Sequence, residues 1–407
     1  MAWRWPWHRK MDTLELFREI YGYPDTKSGQ RVTIKTALQV ATVIACARVL
    51  AEGVAQVPLK LFRESADGKQ RNPAKDHPLY RVLFRRPNPW QTSFQYRETL
   101  MLHAVLCGVH YSFKNVVRGQ IVELIPFEPG HVTVKRSAQG QRSYVYRNPI
   151  SGAEQTFPQE AIWHVNGPSW NGWMGMEAVM LAREAIGLSM AIESQQAGFY
   201  ERGANTSGTY SIEGKLTDEQ YKKLRKWLDE EHAGAKSSSR PMILDNGAKW
   251  LQLAMTGVDA QTLEQRKYQV EEICRALRVM PIMVGYSDKT ATYASAEQMF
   301  LAHVVHSLAP WYSRLEQDID TSLLTEQDLD AGVYSKFVAE GLLRGALKDT
   351  ADFLVRLTQG GIMTRNEGRA KLELNPINGL DEPLTPSNMT IGTEPPEPEP
   401  APQPVAV

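Results

Sequence analysis

The chain carries 407 residues, 42% hydrophobic and 23% charged, and its 46 basic and 46 acidic side chains cancel to a formal net charge of +0. That composition excludes a disordered chain, and the neutral balance argues against a protein that grips DNA through many phosphates. The length allows two or three domains, each with its own core.

Residues 1–35 read as an N-terminal tail. Its run Trp3-Arg4-Trp5-Pro6-Trp7-His8-Arg9-Lys10 is aromatic and basic, able to touch lipid or nucleic acid, and more usual in a tail that docks or stays mobile. An amphipathic helix is predicted over 36–55, a strand over 57–63 with a turn at Ala66-Asp67-Gly68, and a short helix over 77–84. The segment 86–90 holds two prolines and must be extended. Thr92 and Gln95 form a capping-box pair opening a helix that Gly108 ends. Strands are predicted at 111–118, 121–125, 132–136, 143–147 and 162–165, with turns at Gly119, Gly130, Gly140 and Asn148-Pro149. Their close spacing predicts antiparallel pairing, hence an α+β domain. Trp163, Trp170 and Trp173 with Gly167, Gly172 and Gly175 mark a tight aromatic turn with a packing role.

A long helix is predicted over 175–202. Ala178, Leu181, Ala185, Leu188, Ile192 and Phe199 recur along one face at helical spacing, and small residues such as Gly187 thin the rod where a neighbour can approach. Gly203 is placed to end it. An insert follows over 206–257. It has a strand at 209–212, a helix at 217–232 opened by Thr217 and Gln220, a polar loop at 233–239, and strands at 241–244 and 249–253 around the hairpin signal Asp245-Asn246-Gly247. A second helix over 259–278 buries Leu263, Val270, Ile273 and Leu277, with Asp259 as N-cap, and Met280-Pro281 stops it. The polar loop 285–292 leads into a third helix over 293–324, with Leu301, Val304, Leu308, Trp311, Leu315 and Ile319 on one face. Pro310 predicts a kink near 305–307. A strand at 334–338 and helices at 345–359 and 364–372 complete the folded part, and a Pro/Glu-rich run over 394–404 reads as a disordered tail.

No constellation carries chemistry. Gly234-Ala235-Lys236-Ser237 lacks the adjacent Gly-Lys and the strand–loop–helix setting of a phosphate loop, and no HExxH, CxxC or nucleophile elbow occurs. His103 and His110 flank a helix end and His303 and His306 share a helix, without a partnered carboxylate motif. Cys46, Cys107 and Cys274 stand in apolar helical settings and read as reduced core residues of a cytosolic protein. The longest apolar region, 40–57, is interrupted by Arg48, Glu52 and Gln56, so no membrane-spanning helix is expected. No cofactor or metal and no catalytic residue is expected.

The stretches TVIACARVLAEGVAQVP at 42–58, DHPLYRVLFRRPNPW at 76–90, FQYRETLMLHAVLCG at 94–108, LAREAIGL at 181–188, residues 269–285 and LAPWYSRLE at 308–316 occur together in order. In this combination the chain resembles the siphophage-type portal proteins of tailed double-stranded DNA phages. The resemblance spans about residues 36–386. It implies a portal fold of class α+β: an antiparallel-sheet wing at 36–175, stem helices at 176–205 and 258–280, a strand–helix–strand clip at 206–257 and a tunnel loop at 281–296. A long kinked helix completing the wing at 297–340, crown helices at 341–386 and a disordered tail at 387–407 finish it. It implies a ring, typically of twelve subunits, at one capsid vertex, in the virion and, during assembly, in the host cytoplasm. The implied role is to nucleate head assembly, conduct double-stranded DNA without sequence preference, and dock the terminase large subunit and then the head–tail connector. The major capsid and scaffold proteins are further implied partners. The implied channel residues are Tyr286, Lys289, Thr290, Thr292 and Tyr293; those of the docking face are Lys222, Lys223, Lys226 and Glu230. Glu177, Glu184, Glu193 and Glu201 outnumber Arg183 and Arg202 by two on the first stem helix, which weakens adhesion to phosphate. Another ring-forming connector is the alternative, though such connectors are shorter; a phage nuclease or hydrolase would need a ligand cluster that the sequence lacks.

Overall fold

The structure, a computed structural model, describes residues 26–65, 70–202, 208–211, 217–219, 221–223, 226, 249–252, 258–286, 293–339, 344–372 and 374–384. The chain forms two compact units, Met1–Gln56 with Arg85–Trp311, and Val57–Phe84 with Tyr312–Val407. In chain order the elements begin with α1 (Ile34–Ala37), α2 (Ala41–Ala55), β1 (Leu59–Glu64), β2 (Arg71–Pro73), α3 (Pro78–Phe84) and α4 (Ser93–Leu106). Strands β3 (Val109–Val117), β4 (Gln120–Phe127), β5 (Val132–Arg136), β6 (Arg142–Arg147), β7 (Glu154–Pro158) and β8 (Ile162–Asn166) follow. Then come α5 (Ala178–Leu181), α6 (Arg183–Arg202), β9 (Gly208–Ser211), β10 (Lys249–Gln252), α7 (Val258–Leu277), α8 (Tyr293–His303), α9 (Ala309–Ser322), α10 (Glu326–Asp330), β11 (Val333–Phe337), α11 (Arg344–Gln359) and α12 (Arg365–Lys371).

In the first unit, the single helix expected over 36–55 is two. Thr33 and Thr36 exchange capping hydrogen bonds around α1, and Val40 turns extended at the N-cap of α2 (φ −77°, ψ 114°). Val40 is buried, so its side chain is held in the core at the point where the helix restarts. The capping box of α4 forms as its sequence predicts: the Gln95 N–H donates to Thr92 Oγ1 at 3.2 Å and the Thr92 N–H to Gln95 Oε1 at 2.9 Å. Arg97 on the same helix is buried and donates to the Ala55 carbonyl through Nη2 at 2.7 Å and Nε at 3.2 Å. A cation thus satisfies an orphan carbonyl at the C-terminus of α2. Burial lowers the Arg97 pKa to about 10, which leaves it charged at neutral pH.

The strands of this unit make antiparallel sheets ordered β4-β3-β8 and β5-β6-β7, with β9 and β10 paired separately. Val109, Tyr111, Phe127 and Ile162 from the first sheet meet Val134 and Tyr144 from the second in one core. Phe127 stacks on Tyr146 with centroids 4.0 Å apart. Strand β7 was not expected: Glu154, Gln155 and Thr156 are exposed and give no alternation, and pairing to β6 alone makes it a strand. Its terminal proline suits an edge position.

The long helix expected over 175–202 starts later and is interrupted. Helix α5 ends at Ala182 (φ −90°, ψ 6°) and α6 begins at Arg183. The buried face is Val179, Ala182, Ile186 and Ile192, so the face expected from the large aliphatics is rotated; Leu181 and Leu188 point outward, 54% and 43% exposed. Gly187 does admit a neighbour. A Cβ there would lie 2.7 Å from Thr26 Oγ1, and the Lys27 N–H donates to Glu184 at 3.1 Å. Helix α7 buries Ile273 and Leu277 as expected, with Cys274 and Gln269 beside them, and Asp259 lies inside the helix rather than at its N-cap. The kink expected before Pro310 is a π-helical segment, Val304–Leu308, where the Ala309 N–H reaches the Val304 carbonyl. Proline withholds an N–H from the ladder, and the helix re-spaces around it.

In the second unit, β1 pairs with β11 and β2 in a sheet ordered β11-β1-β2, with Leu61 opposite Ser335 and Arg63 opposite Asn72. Glu316 and Asp320 on α9 fasten β11 by accepting the Phe337 and Ser335 N–H groups, each at 2.8 Å. Helix α10, too short for a hydrophobic period, is closed by a Thr325–Asp328 capping box. The expected helices 345–359 and 364–372 correspond to α11 and α12, the latter capped by Thr364 and Glu367. The expected features at 1–25, at the turn Ala66-Asp67-Gly68, at 227–248 with the turn Asp245-Asn246-Gly247, and at 385–407 lie outside the described residues.

Candidate functional site

The loop predicted to be functional leaves α7 through a firmly closed helix end. Arg278 adopts a left-handed conformation (φ 56°) and the Val279 N–H returns to the Cys274 carbonyl at 2.9 Å. Pro281 then opens a 3₁₀ turn, Pro281–Val284, that Gly285 ends at φ 78°, with the Tyr286 N–H donating to the Pro281 carbonyl at 3.1 Å. Tyr286 is half-buried where the loop starts, and Tyr293 is the first residue of α8. Lys289, Thr290 and Thr292 lie outside the described residues.

The second predicted face is on the insert. Residues 218–219, 221–223 and 226 are helical, and the Tyr221 N–H donates to the Thr217 carbonyl at 2.9 Å. Lys222, Lys223 and Lys226 are all exposed. At about 100° per residue they fall within one arc of the helix surface. Asp218 and Glu219 precede Lys222 and Lys223 by four residues, a spacing that supports an exposed helix. Gln220 and Glu230 lie outside the described residues.

Helices α6 and α7 pack together, joined by Arg266 Nη1 donating to Gln196 Oε1 at 2.8 Å. Between them runs an open groove of about 530 Å³ lined by Leu188, Ile192, Glu264, Gln265, Tyr268 and Gln269. The amide oxygen of buried Gln269 has no hydrogen-bond partner among the described residues. Sequence reasoning assigned this groove no role; the available signal was a glutamine at four-residue spacing from Ile273 and Leu277. Of the carboxylates counted on the first stem helix, Glu184 and Glu193 are exposed. Glu177 is different: it precedes α5, and burial pushes its pKa up to about 7, so it carries only part of a charge at neutral pH. The side chains of Glu201 and Arg202 lie outside the described residues.

Titratable groups also gather inside the first unit, buried except for the half-buried His103. Tyr96 OH lies 2.6 Å from Ser112 Oγ, Ser112 Oγ lies 2.8 Å from His110 Nε2, and His110 Nδ1 lies 3.2 Å from His103 Nδ1. A serine hydrogen-bonded to a histidine is the start of a nucleophile–base pair. Here both are fully buried, and the other histidine nitrogen faces a second imidazole instead of a carboxylate. Neither side chain of the pair has exposed surface. Nearby, Tyr144 OH meets His164 Nδ1 at 3.0 Å. His303 is also buried, while His306 is exposed. Among the described residues no group of three or more His, Cys, Asp or Glu side chains is placed to hold a metal ion, and no helix is long and apolar enough to cross a membrane.

Two packed helices, α6 and α7, thus stand on either side of the β9–β10 pair in the chain, and α7 ends in a closed turn before residue 287. The chain belongs to the phage portal protein family, which matches residues 41–373. It is 28% identical over 347 residues to the portal protein of Enterobacteria phage HK97, covering 84% of this chain and 81% of that protein. It is likewise 28% identical over 386 residues to the probable portal protein of Streptomyces phage phiC31, covering 91% and 83%. Its fold matches a chain in the neck of a native gene transfer agent particle solved with C12 symmetry, at a TM-score of 0.60 and 22% identity over 84% of this chain and 93% of that one. The α+β portal fold inferred from the sequence is therefore the fold of this chain, a member of a family of phage portal proteins. The family is structural, not enzymatic.

Proposed function

We propose that the chain is the repeating subunit of a closed ring, of twelve copies, that forms the DNA channel at the capsid vertex. The observation that carries this is the outward apolar surface of the α6/α7 pair and the helix before it: Leu181, Leu188 and Tyr268 are 54%, 43% and 55% exposed in a single chain. A patch of this kind on adjoining helices is normally covered, and copies related by a rotation that closes cover it without leaving an open end. The twelvefold symmetry of the similar neck supports the same reading. Native mass measurement and electron microscopy of the purified chain test it. Closed rings are expected; a stable monomer at micromolar concentration would sink the proposal.

Within that ring we assign residues 36–175 to the wing, 176–205 and 258–280 to the stem, 206–257 to the clip, 281–296 to the tunnel loop, 297–340 to the kinked helix that completes the wing and 341–386 to the crown. The exposed lysine arc Lys222, Lys223 and Lys226, with Glu230, is a mixed-charge face suited to transient, salt-sensitive docking of the terminase large subunit and later the head–tail connector. Tyr286, Lys289, Thr290, Thr292 and Tyr293 border passing double-stranded DNA, where single hydrogen bonds and one cation hold phosphate only briefly. The major capsid and scaffold proteins are further partners during assembly in the host cytoplasm. The chain itself needs no cofactor and performs no catalysis. Reversing Lys222, Lys223 and Lys226 to Glu is expected to leave rings intact and lower packaging. Replacing Lys289, Thr290 and Thr292 with Ala is expected to leave rings intact and shorten the DNA retained. A packaging assay beside electron microscopy reads both; unchanged packaging removes the lysine assignment, and failed ring assembly removes the tunnel assignment.

A further inference from the structure

Cys46 and Cys274 are 228 positions apart in sequence, yet their sulfurs lie 3.6 Å apart. Cys46 stands mid-way along α2 and Cys274 in the last turn of α7, and neither has exposed surface. Their contact is a thiol–thiol hydrogen bond between two packed helices of the same unit. We propose that this pair is an oxidative modification site, where a small hydroperoxide closes a Cys46–Cys274 disulfide that staples α2 to α7. A disulfide bond is about 2.05 Å long, so closure needs the sulfurs to approach by about 1.5 Å.

The two thiols are not equivalent. The hydrogen bond from Cys46 lowers the Cys274 pKa, and the same bond, with burial, pushes Cys46 well up. Cys274, in the last turn of α7, takes the attacking role, and Cys46, mid-way along α2, resolves it. In the first step the Cys274 sulfur attacks one peroxide oxygen. An S–O bond forms as the O–O bond breaks, and the departing oxygen takes up the thiol proton and leaves as water. In the second step the Cys46 sulfur attacks the sulfenic sulfur. The S–S bond forms, the S–O bond breaks, and the hydroxide leaves with the Cys46 proton as a second water. In sum, two thiols and one hydrogen peroxide give one disulfide and two waters. The peroxide, close to water in size, reaches the buried pair through transient local opening of the packed helices. Cys107 is the internal reference: it has no cysteine neighbour, and burial pushes its pKa up to about 12, which keeps it a thiol.

The folded full-length chain is treated with hydrogen peroxide, and free thiols are then counted after unfolding in urea. The expected result is loss of two of the three thiols, a peptide map carrying the Cys46–Cys274 cross-link, and a Tm several degrees higher that dithiothreitol reverses. In Cys46→Ala the reaction is expected to stop at the Cys274 sulfenic acid, trapped by dimedone. Three intact thiols, a cross-link that forms only in urea, or Cys107 oxidised ahead of the pair would each overturn the proposal. If Cys46→Ala does not fold, the peptide map of the unsubstituted chain decides alone.

Discussion

The chain is expected to lose stability steeply as pH falls from 6.5 to 4.5, and replacing Glu177 with Gln is expected to steepen that loss. His103, His110 and His164 share the interior of the first unit, where burial is the first cause that holds each in the neutral form. The pKa of His103 falls to about 4 and that of His164 to about 3, with Arg142 pressing His164 further down; His110 is held well below its ordinary 6.5. The unfolded chain takes up these protons near pH 6.5 and the folded chain resists them, so acid favours unfolding from pH 6.5 down to each folded pKa. One fully buried histidine contributes at most about 1.4 kcal/mol per pH unit. His110 and His164 together therefore remove up to about 5 kcal/mol between pH 6.5 and 4.5, a large part of a typical domain's stability. His103, half-buried and sharing a hydrogen bond with His110, adds less.

Three carboxylates act in the opposite sense. Burial raises Glu177 to about 7 from 4.5, and raises Glu316 and Asp320 as well. For each, the folded pKa is above the unfolded one, so the fold is penalised at high pH and relieved as pH falls. Glutamine at position 177 removes the largest of these, raising stability at pH 8 and exposing the histidine slope. Asp76 and Asp328, whose pKa values are lowered, begin to matter only below 3.8. Calorimetric Tm values of the original chain and Glu177→Gln at pH 8, 6.5, 5.5 and 4.5 check this. A flat profile from pH 6.5 to 4.5 in Glu177→Gln means that the histidines protonate without unfolding, and the buried-neutral assignment is then wrong.

The features legible in the sequence were those set by residues close together. Thr92 with Gln95 settles a helix start within four residues, and Pro310 foretells the irregular turn before it. Features decided at a distance were not legible. β7 is a strand only because β6 lies beside it, and β11 shows as a strand without any sign that β1, over 260 residues earlier, is its partner. The buried side of α5 and α6 is not the one the large leucines Leu181 and Leu188 mark; Val179, Ala182 and Ile186 are the residues that meet the core. For the candidate site, Lys222, Lys223 and Lys226 are named on the resemblance, and helical spacing puts them within one arc. The orphan Gln269 oxygen needed the second helix in place to be seen. Cys46 and Cys274 read as two separate core residues because nothing in a linear chain brings α2 to α7.

Gly175→Ala is expected to destabilise the first unit by about 3 kcal/mol or more, enough to leave much of the protein insoluble. The residue lies in the aromatic turn between β8 and α5, where Gly108, Gly167 and Gly175 crowd together. The Gly167 N–H donates to the Gly108 carbonyl at 2.7 Å, the Gly175 N–H to Asn166 Oδ1 at 3.0 Å, and the Met176 N–H to the Pro168 carbonyl at 2.7 Å. A Cβ on Gly175 would sit 1.7 Å from the Gly108 oxygen and 3.0 Å from the Gly167 nitrogen. The opposing atoms are backbone, fixed by the end of α4 and the start of β3, so no side chain can swing aside. Gly108 cannot move either: it is left-handed at φ 73°, and its own Cβ position lies 2.4 Å from the Met176 carbonyl oxygen. The added methyl therefore separates α4 from the turn that aims α5 and breaks the hydrogen bonds between them. Gly130→Ala is the matched control, since nothing lies within 4 Å of its Cβ position and its φ is not left-handed. Soluble yield and urea midpoints of the two variants give the comparison: Gly130→Ala is expected to stay within about 0.5 kcal/mol of the original chain. If Gly175→Ala does the same, the close approach of Gly108 and Gly175 is not a feature of the folded protein.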